Sequence, residues 1–121
     1  MTELIIERYK APKHKGNIPN PDLSFKDHNL SCGDHIQIDL RIDRNRMITE
    51  AAFSGQGCSV SIASADLLLD QIIGQPLERI RALTKDEFLA GLNLNIPIRR
   101  ENCAVLAYDI LIACISEDIT K

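Results

Sequence analysis

From His35 onward the chain alternates strictly, with Ile36, Ile38, Leu40 and Ile42 apolar and Gln37, Asp39 and Arg41 polar between them. A period of two belongs to a half-buried strand with its apolar set on the core side. Asp43-Arg44-Asn45-Arg46 is a polar turn, and Met47 to Phe53 then resumes through Ile48, Ala51, Ala52 and Phe53, so the two runs predict an antiparallel hairpin. The second run does not fix which of its faces is buried. Gly55 and Gly57 release the chain from strand geometry. After Cys58, the residues Val60, Ile62, Ala63, Leu67, Leu69, Ile72 and Ile73 follow helical spacing up to a stop at Gly74.

Elements on either side are read in the same way. Leu4, Ile5, Arg8 and Tyr9 have helical spacing, and this short helix should end before Pro12, because the residue ahead of a proline is pushed out of the α region. Lys13 to Pro21 carries Gly16, Asn17, Pro19, Asn20 and Pro21 and reads as a loop. Leu23 to Leu30 holds a weak strand around Phe25, broken by Cys32-Gly33-Asp34. Downstream, Leu77, Ile80 and Leu83 allow a short helix. Thr84 with Glu87 three residues on is a capping box that opens another helix, running through Leu92. Asn93 to Arg100, with Pro97, reads as a loop, and Cys103 to Ile119 is the strongest helix, apolar at Leu106, Tyr108, Ile110, Leu111, Ala113, Cys114 and Ile115. The order of elements predicts an α+β fold, a small antiparallel three-stranded sheet packed against several helices, in one domain spanning residues 1–121.

Composition narrows the function classes. A formal charge of −3 lacks the basic excess of a nucleic-acid surface, and no window approaches the ~20 apolar residues of a membrane span. Partners are expected to be proteins or small species. The start, Met1 to Arg8, carries acidic residues and only a brief apolar pair, unlike a secretory signal or a transit peptide, so a cytoplasmic location is expected. In a reducing compartment cysteines more often bind metal or do chemistry than pair as disulfides.

Of the four cysteines, three stand at the ends of elements. Cys32 lies in the turn before the regular strand, Cys58 just after the hairpin, and Cys103 opens the last helix. Thiols on element ends can converge while the elements form the packed body. Cys114 is read differently, as a small buried hydrophobe: it lies eleven residues past Cys103, about 16 Å along the same helix at ~1.5 Å per residue, too far to share one metal. Gly33 would let Cys32 and Asp34 turn toward one point. Cys58 and Cys103 at helix starts would be thiolate-prone, since exposed N–H groups there favour an anion. Three thiolates and a carboxylate carry a formal charge of about −4 and would repel one another unless a cation or cluster bound them. Zinc and iron–sulfur clusters both fit such a set, and the harder carboxylate is the weaker partner for a soft centre, as suits a site that exchanges its contents. Read alone, Asp34 is equally a turn residue capping the strand. His14 and His28 read as surface residues, and His35 as a strand residue with a minor claim to be a ligand. Arg99 and Arg100 beside Cys103 read as solvated charges that could also support an anionic sulfur. Ser61 and Ser64 have no His/Asp pattern of a nucleophilic triad, and no phosphate-cradling glycine loop is present.

Cys32-Gly33-Asp34, the run from Gly55-Gln56-Gly57-Cys58-Ser59 to Ala65, and Cys103-Ala104-Val105-Leu106-Ala107 together resemble the IscU/NifU/SufU family of iron–sulfur cluster assembly proteins. Tyr9-Lys10-Ala11-Pro12 to Gly16 resembles that family's amino-terminal segment, so the likeness covers nearly the whole chain. The resemblance implies a scaffold that builds a transient [2Fe–2S] cluster, or holds Zn2+, at Cys32, Asp34, Cys58 and Cys103. A cysteine desulfurase would supply sulfur as a persulfide, with Cys103 the first candidate to accept it, and apo iron–sulfur proteins would receive the cluster. Zinc-dependent sulfur transfer and a structural zinc domain are the alternatives. The chain departs from the family patterns in three places. Asn102 stands where the IscU pattern has a histidine. Ile96-Pro97-Ile98-Arg99-Arg100 replaces the segment read by the dedicated Hsp70-type chaperone, so that partnership is not implied. The stretch from Cys58 to Cys103 lacks the SufU insertion. A homo-oligomer is left open.

Overall fold

The strict alternation of residues 35–42 becomes the middle strand of the sheet. In the computed structural model, which describes residues 3–29, 34–92 and 101–116, three strands β1 (Leu23–Asn29), β2 (Asp34–Ile42) and β3 (Ile48–Gln56) pair antiparallel in the order β1-β2-β3. Helix α1 (Glu3–Lys10) precedes them, and α2 (Ser59–Ile72), α3 (Leu77–Arg81), α4 (Lys85–Leu92) and α5 (Glu101–Ser116) follow. The expected α+β architecture is therefore present. Among the described residues no helix is long and apolar enough to cross a membrane. The predicted loop from Asn93 to Arg100 and the far end of the last helix beyond Ser116 lie outside the described residues.

The ambiguous phase of the second run has a physical cause. Arg41 pairs with Glu50 but Ile42 pairs with Ile48, so Thr49 is an extra residue on β3, a bulge. The inward set therefore changes from Ile48 to Ala51 and Phe53, three residues apart where a regular strand would give two. The turn is secured by Asp43, whose carboxylate accepts the N–H groups of Asn45 at 2.9 Å and Met47 at 3.0 Å, with Arg46 in the left-handed region at φ 62°.

Ile36, Ile38, Leu40, Ile48 and Phe53 from the sheet meet Leu68, Leu69 and Ile72 of α2 and Ile110, Leu111, Cys114 and Ile115 of α5 in one core. Cys114 is fully buried there, as its reading as a small hydrophobe requires. Helix α2 ends where Gly74, at φ 87°, donates its N–H to Ile48, which ties the helix end to the start of β3. The Thr84 capping box forms reciprocally, each backbone N–H reaching the other side chain at 3.1 Å.

The sheet's other face departs from expectation. Asp39, read as a polar residue on the open side, is 3% exposed. Residues 14–16 add to the edge of β3, with Gly16 donating to Phe53 and Phe53 donating to His14, and the chain then crosses the sheet to reach β1. That crossing segment covers Asp39, whose carboxylate accepts from the Ile18 N–H at 3.2 Å, the Ser24 hydroxyl at 2.7 Å and the Gln37 amide at 3.0 Å. Burial is tolerated because each lone pair in use faces a donor.

A second buried carboxylate anchors the amino-terminal segment. Asp66, fully buried on α2, accepts from the Arg8 guanidinium of α1 at 2.8 Å and from the His14 backbone N–H at 2.8 Å. Arg8 also reaches Asp70 at 2.6 Å, and the His14 ring lies 2.6 Å from the other oxygen of Asp70. His14 is thus a bound residue and not the plain surface residue its loop suggested, because α2 presents a carboxylate to it. Burial works against the Arg8 charge, yet Asp66 and Asp70 outweigh it and raise the pKa of the guanidinium.

Removing Asp66 leaves a guanidinium with its main partner gone in a buried place. Asp66→Ala should therefore cost about 3–5 kcal/mol in urea unfolding, and the apolar pair Arg8→Met with Asp66→Leu much less. Equal losses in the two variants would show that the ion pair is not the anchor. Burial raises the Asp70 carboxyl, but hydrogen bonds and charge from His14 and Arg8 outweigh it and hold its pKa below the ordinary value. Stability from a lowered carboxyl is present above the unfolded value near about 3.9 and is lost as pH falls through the folded one. Asp70→Asn should accordingly weaken the protein at about pH 6 and converge with the unmodified chain on acidification. A stability difference independent of pH would contradict this.

Candidate metal centre

Two glycines end β3, and the first is required by the sheet. Gly55 lies across from Ile36 at φ +126°, and a Cβ there would sit 2.1 Å from the His35 carbonyl oxygen. Only glycine lets the two backbones approach so closely at this end. The next rung pairs His35 with Gln56. Asp34 is one residue before that rung and Cys58 two residues after it, so β2 begins and β3 leaves at the same end of the sheet. Asp34 also pairs with Asn29, which brings the two ends of the segment carrying Cys32 together at that end. Cys32 and Gly33 themselves lie outside the described residues.

Cys58 is the N-cap of α2, in extended conformation at φ −72° and ψ 170°, as a cap residue should be. Its sulfur accepts the Ser61 N–H at 3.5 Å and lies 3.5 Å from the Ser61 hydroxyl oxygen. The first turn of α2 contains no acidic residue. The partial positive charge of the helix start therefore falls on the Cys58 sulfur, a setting that favours thiolate and metal ligation. Cys58 is half-buried and not in a disulfide. The donor chemistry fits a thiophilic metal or cluster.

Cys103 is the third residue of α5, in its first turn, since the helix starts two residues earlier than the sequence pattern indicated. Helix α4 links this region to Cys58. Its Leu89 packs against Val60, two residues past Cys58, and the adjacent Phe88 stacks on Tyr108, five residues past Cys103, with ring centroids 5.7 Å apart. The Tyr108 hydroxyl donates to the Leu83 carbonyl at 2.7 Å and fixes α5 further. Backbone placement thus brings Asp34 and Cys58 to one end of the sheet, with Cys103 on a first helical turn of a packed neighbour. His35 is half-buried on the His35–Gln56 rung. Arg99 and Arg100 lie outside the described residues.

Sequence reasoning missed Ser61 and the Arg8, His14, Asp66 and Asp70 group. A lone carboxylate at Asp66 in the run Ala63 to Leu69 was the available signal, because such a charge needs a partner. The signal for Ser61 was its position three residues after Cys58, the spacing of a helix cap and its N3 residue.

Likeness to known proteins bears on this arrangement. A family model described as NifU-like N terminal domain matches residues 1–120. The chain is 29% identical over 119 residues to the iron-sulfur cluster assembly scaffold protein IscU of Haemophilus influenzae, covering 96% of this chain and 93% of that protein. It is 32% identical over 83 residues to the zinc-dependent sulfurtransferase SufU of Bacillus subtilis, covering 69% of this chain and 55% of that one. In fold it is similar to the crystal structure of the amino-terminal part of a nitrogen-fixing NifU-like protein from Brucella abortus, with a TM-score of 0.79 at 20% identity, covering 99% of this chain and 94% of that chain.

Gly55→Ala should lower stability by about 2 kcal/mol or more in urea unfolding, since both the backbone conformation and the contact with His35 oppose a side chain. An unchanged midpoint would show that the strand end relaxes freely.

Proposed function

The chain belongs to the NifU-like N-terminal domain family, and on that premise we propose that it is an iron–sulfur cluster assembly scaffold built as one domain over residues 1–121. Cys32, Cys58 and Cys103 serve as thiolates and Asp34 as a carboxylate, and together they hold iron and sulfide while a [2Fe–2S] unit forms as cargo. Sulfur comes from a cysteine desulfurase as a persulfide, two electrons per sulfur from an external reductant convert it to the sulfide of the cluster, and the finished cluster passes to apo-proteins. One observation carries this reading: Asp34, the first residue of β2, and Cys58, two residues past the end of β3, lie at the same end of the sheet, where Cys58 also caps α2.

Each donor has a distinct task in this reading. The Cys58 sulfur sits at the start of α2, whose dipole and free N–H groups favour a negative charge there. Cys103 stands in the first turn of α5, where Glu101 opens the helix. Asp34 brings a hard oxygen to a soft centre and binds it least firmly, so the ligand shell opens there first. A shell with one weak member is what a carrier needs, because its cargo has to leave.

A second reading is favoured by the likeness to the Bacillus subtilis zinc-dependent sulfurtransferase. In it the same four residues hold zinc, which orders the thiolates until one of them is exchanged, and Cys103 accepts sulfur from the desulfurase. The two readings share their ligands and differ in what is carried.

Anaerobic incubation with ferrous iron, cysteine, a thiol reductant and a cysteine desulfurase should give visible cluster absorbance that transfers to an apo-ferredoxin, and Cys32→Ala, Cys58→Ala and Cys103→Ala should each abolish it. Asp34→Ala should retain the absorbance but slow transfer several-fold. Failure of the unmodified chain to build or pass on a cluster, while it still stimulates the desulfurase when zinc is bound, would favour the second reading.

A further inference from the structure

Ser61 reaches the Cys58 sulfur twice. Its backbone N–H points at the sulfur from 3.5 Å, and its hydroxyl oxygen lies 3.5 Å from the same atom. The residue is fully buried while Cys58 is half-buried, so the hydroxyl meets the sulfur from the protein side. The backbone contact is what any N-cap residue receives from its N3 position. The hydroxyl contact is additional, and it belongs to the side chain.

With a neutral thiol, either atom of the Cys58–Ser61 pair could be the donor. A ligating cysteine has lost its proton, so only the hydroxyl is then able to donate. We propose that Ser61 is a positioning residue for Cys58, donating its hydroxyl proton to the ligating sulfur, fixing the direction of that side chain and drawing electron density from the metal–sulfur bond. This rests on Cys58 being a ligand, as read above. Groups that hydrogen-bond to a ligand both orient it and tune the metal, and hydrogen bonds to sulfur are among the terms that set cluster potentials. The effect suits a site that must hold its contents and then release them, since a sulfur that already shares its electrons with a hydroxyl gives fewer to the metal.

Cobalt(II) loaded into the metal-free full chain reports on this bond directly, through its sulfur-to-metal charge-transfer absorption. In Ser61→Ala the backbone N–H remains and only the hydroxyl is lost, so the Cys58 sulfur should give its electrons more readily and the band should move to longer wavelength. Ser61→Thr restores a hydroxyl and should bring the band back. Ser64→Ala is the control for packing, because Ser64 is also fully buried on α2 and its hydroxyl has no hydrogen-bond partner among the described residues. It should leave the band in place. Cys58→Ala should weaken the absorption by removing one thiolate. A band that shifts equally in Ser64→Ala, or stays unmoved in Ser61→Ala while Cys58→Ala weakens it, overturns the role of Ser61. Absorption untouched by Cys58→Ala instead overturns the ligand assignment beneath it.

Discussion

The pairing of β2 with β3 at its glycine end is the constraint on which the candidate centre depends. A backbone carbonyl of His35 occupies the space where any other residue at position 55 would carry its Cβ. That close approach keeps the His35–Gln56 rung intact up to the last residue of β3. Two of the four candidate donors, Asp34 and Cys58, lie at that end. Asp34 opens one strand, Cys58 follows the other, and the helix dipole of α2 begins at Cys58 itself. A strand end that frayed by two residues would still pack its core, but it would no longer define where a thiolate and a carboxylate start.

Buried charge holds the surroundings of that end in place. Asp66 accepts from both α1 and the segment at His14, and the same segment adds to the outer edge of β3. Asp39 does the equivalent work on the other face, where it accepts from the chain that crosses the sheet. Neither carboxylate could lie in the interior without its donors, so each makes the path of the amino-terminal third specific. The helix that carries Cys58 is thereby fixed at both ends, by the cap at Cys58 and by Gly74 tied to Ile48.

What could be read from the sequence followed the strength of local signals. The alternation from Ile36 to Ile42, the stop at Pro12, the Thr84 capping box and the helix after Cys58 are all local, and each was legible to within a residue or two. The phase of β3 was not, because a bulge at Thr49 shifts the period and no residue type announces it. Asp39 and His14 were misjudged for a related reason. Their burial and bonding come from segments 15–56 residues distant in sequence, and only the assembled fold supplies them. Cys32, Asp34, Cys58 and Cys103 are conspicuous in the sequence as candidate donors on element ends, whereas Ser61 reads as one more polar residue in an apolar helix.

The central claim is that three thiolates and one carboxylate make a single centre. X-ray absorption at the zinc edge of the zinc-loaded chain tests it most directly. A first shell of three sulfur atoms at about 2.3 Å and one oxygen at about 2.0–2.2 Å is the expected result. A shell with two sulfurs or fewer would contradict the claim, because it would mean that Cys32, Cys58 and Cys103 do not meet at one metal.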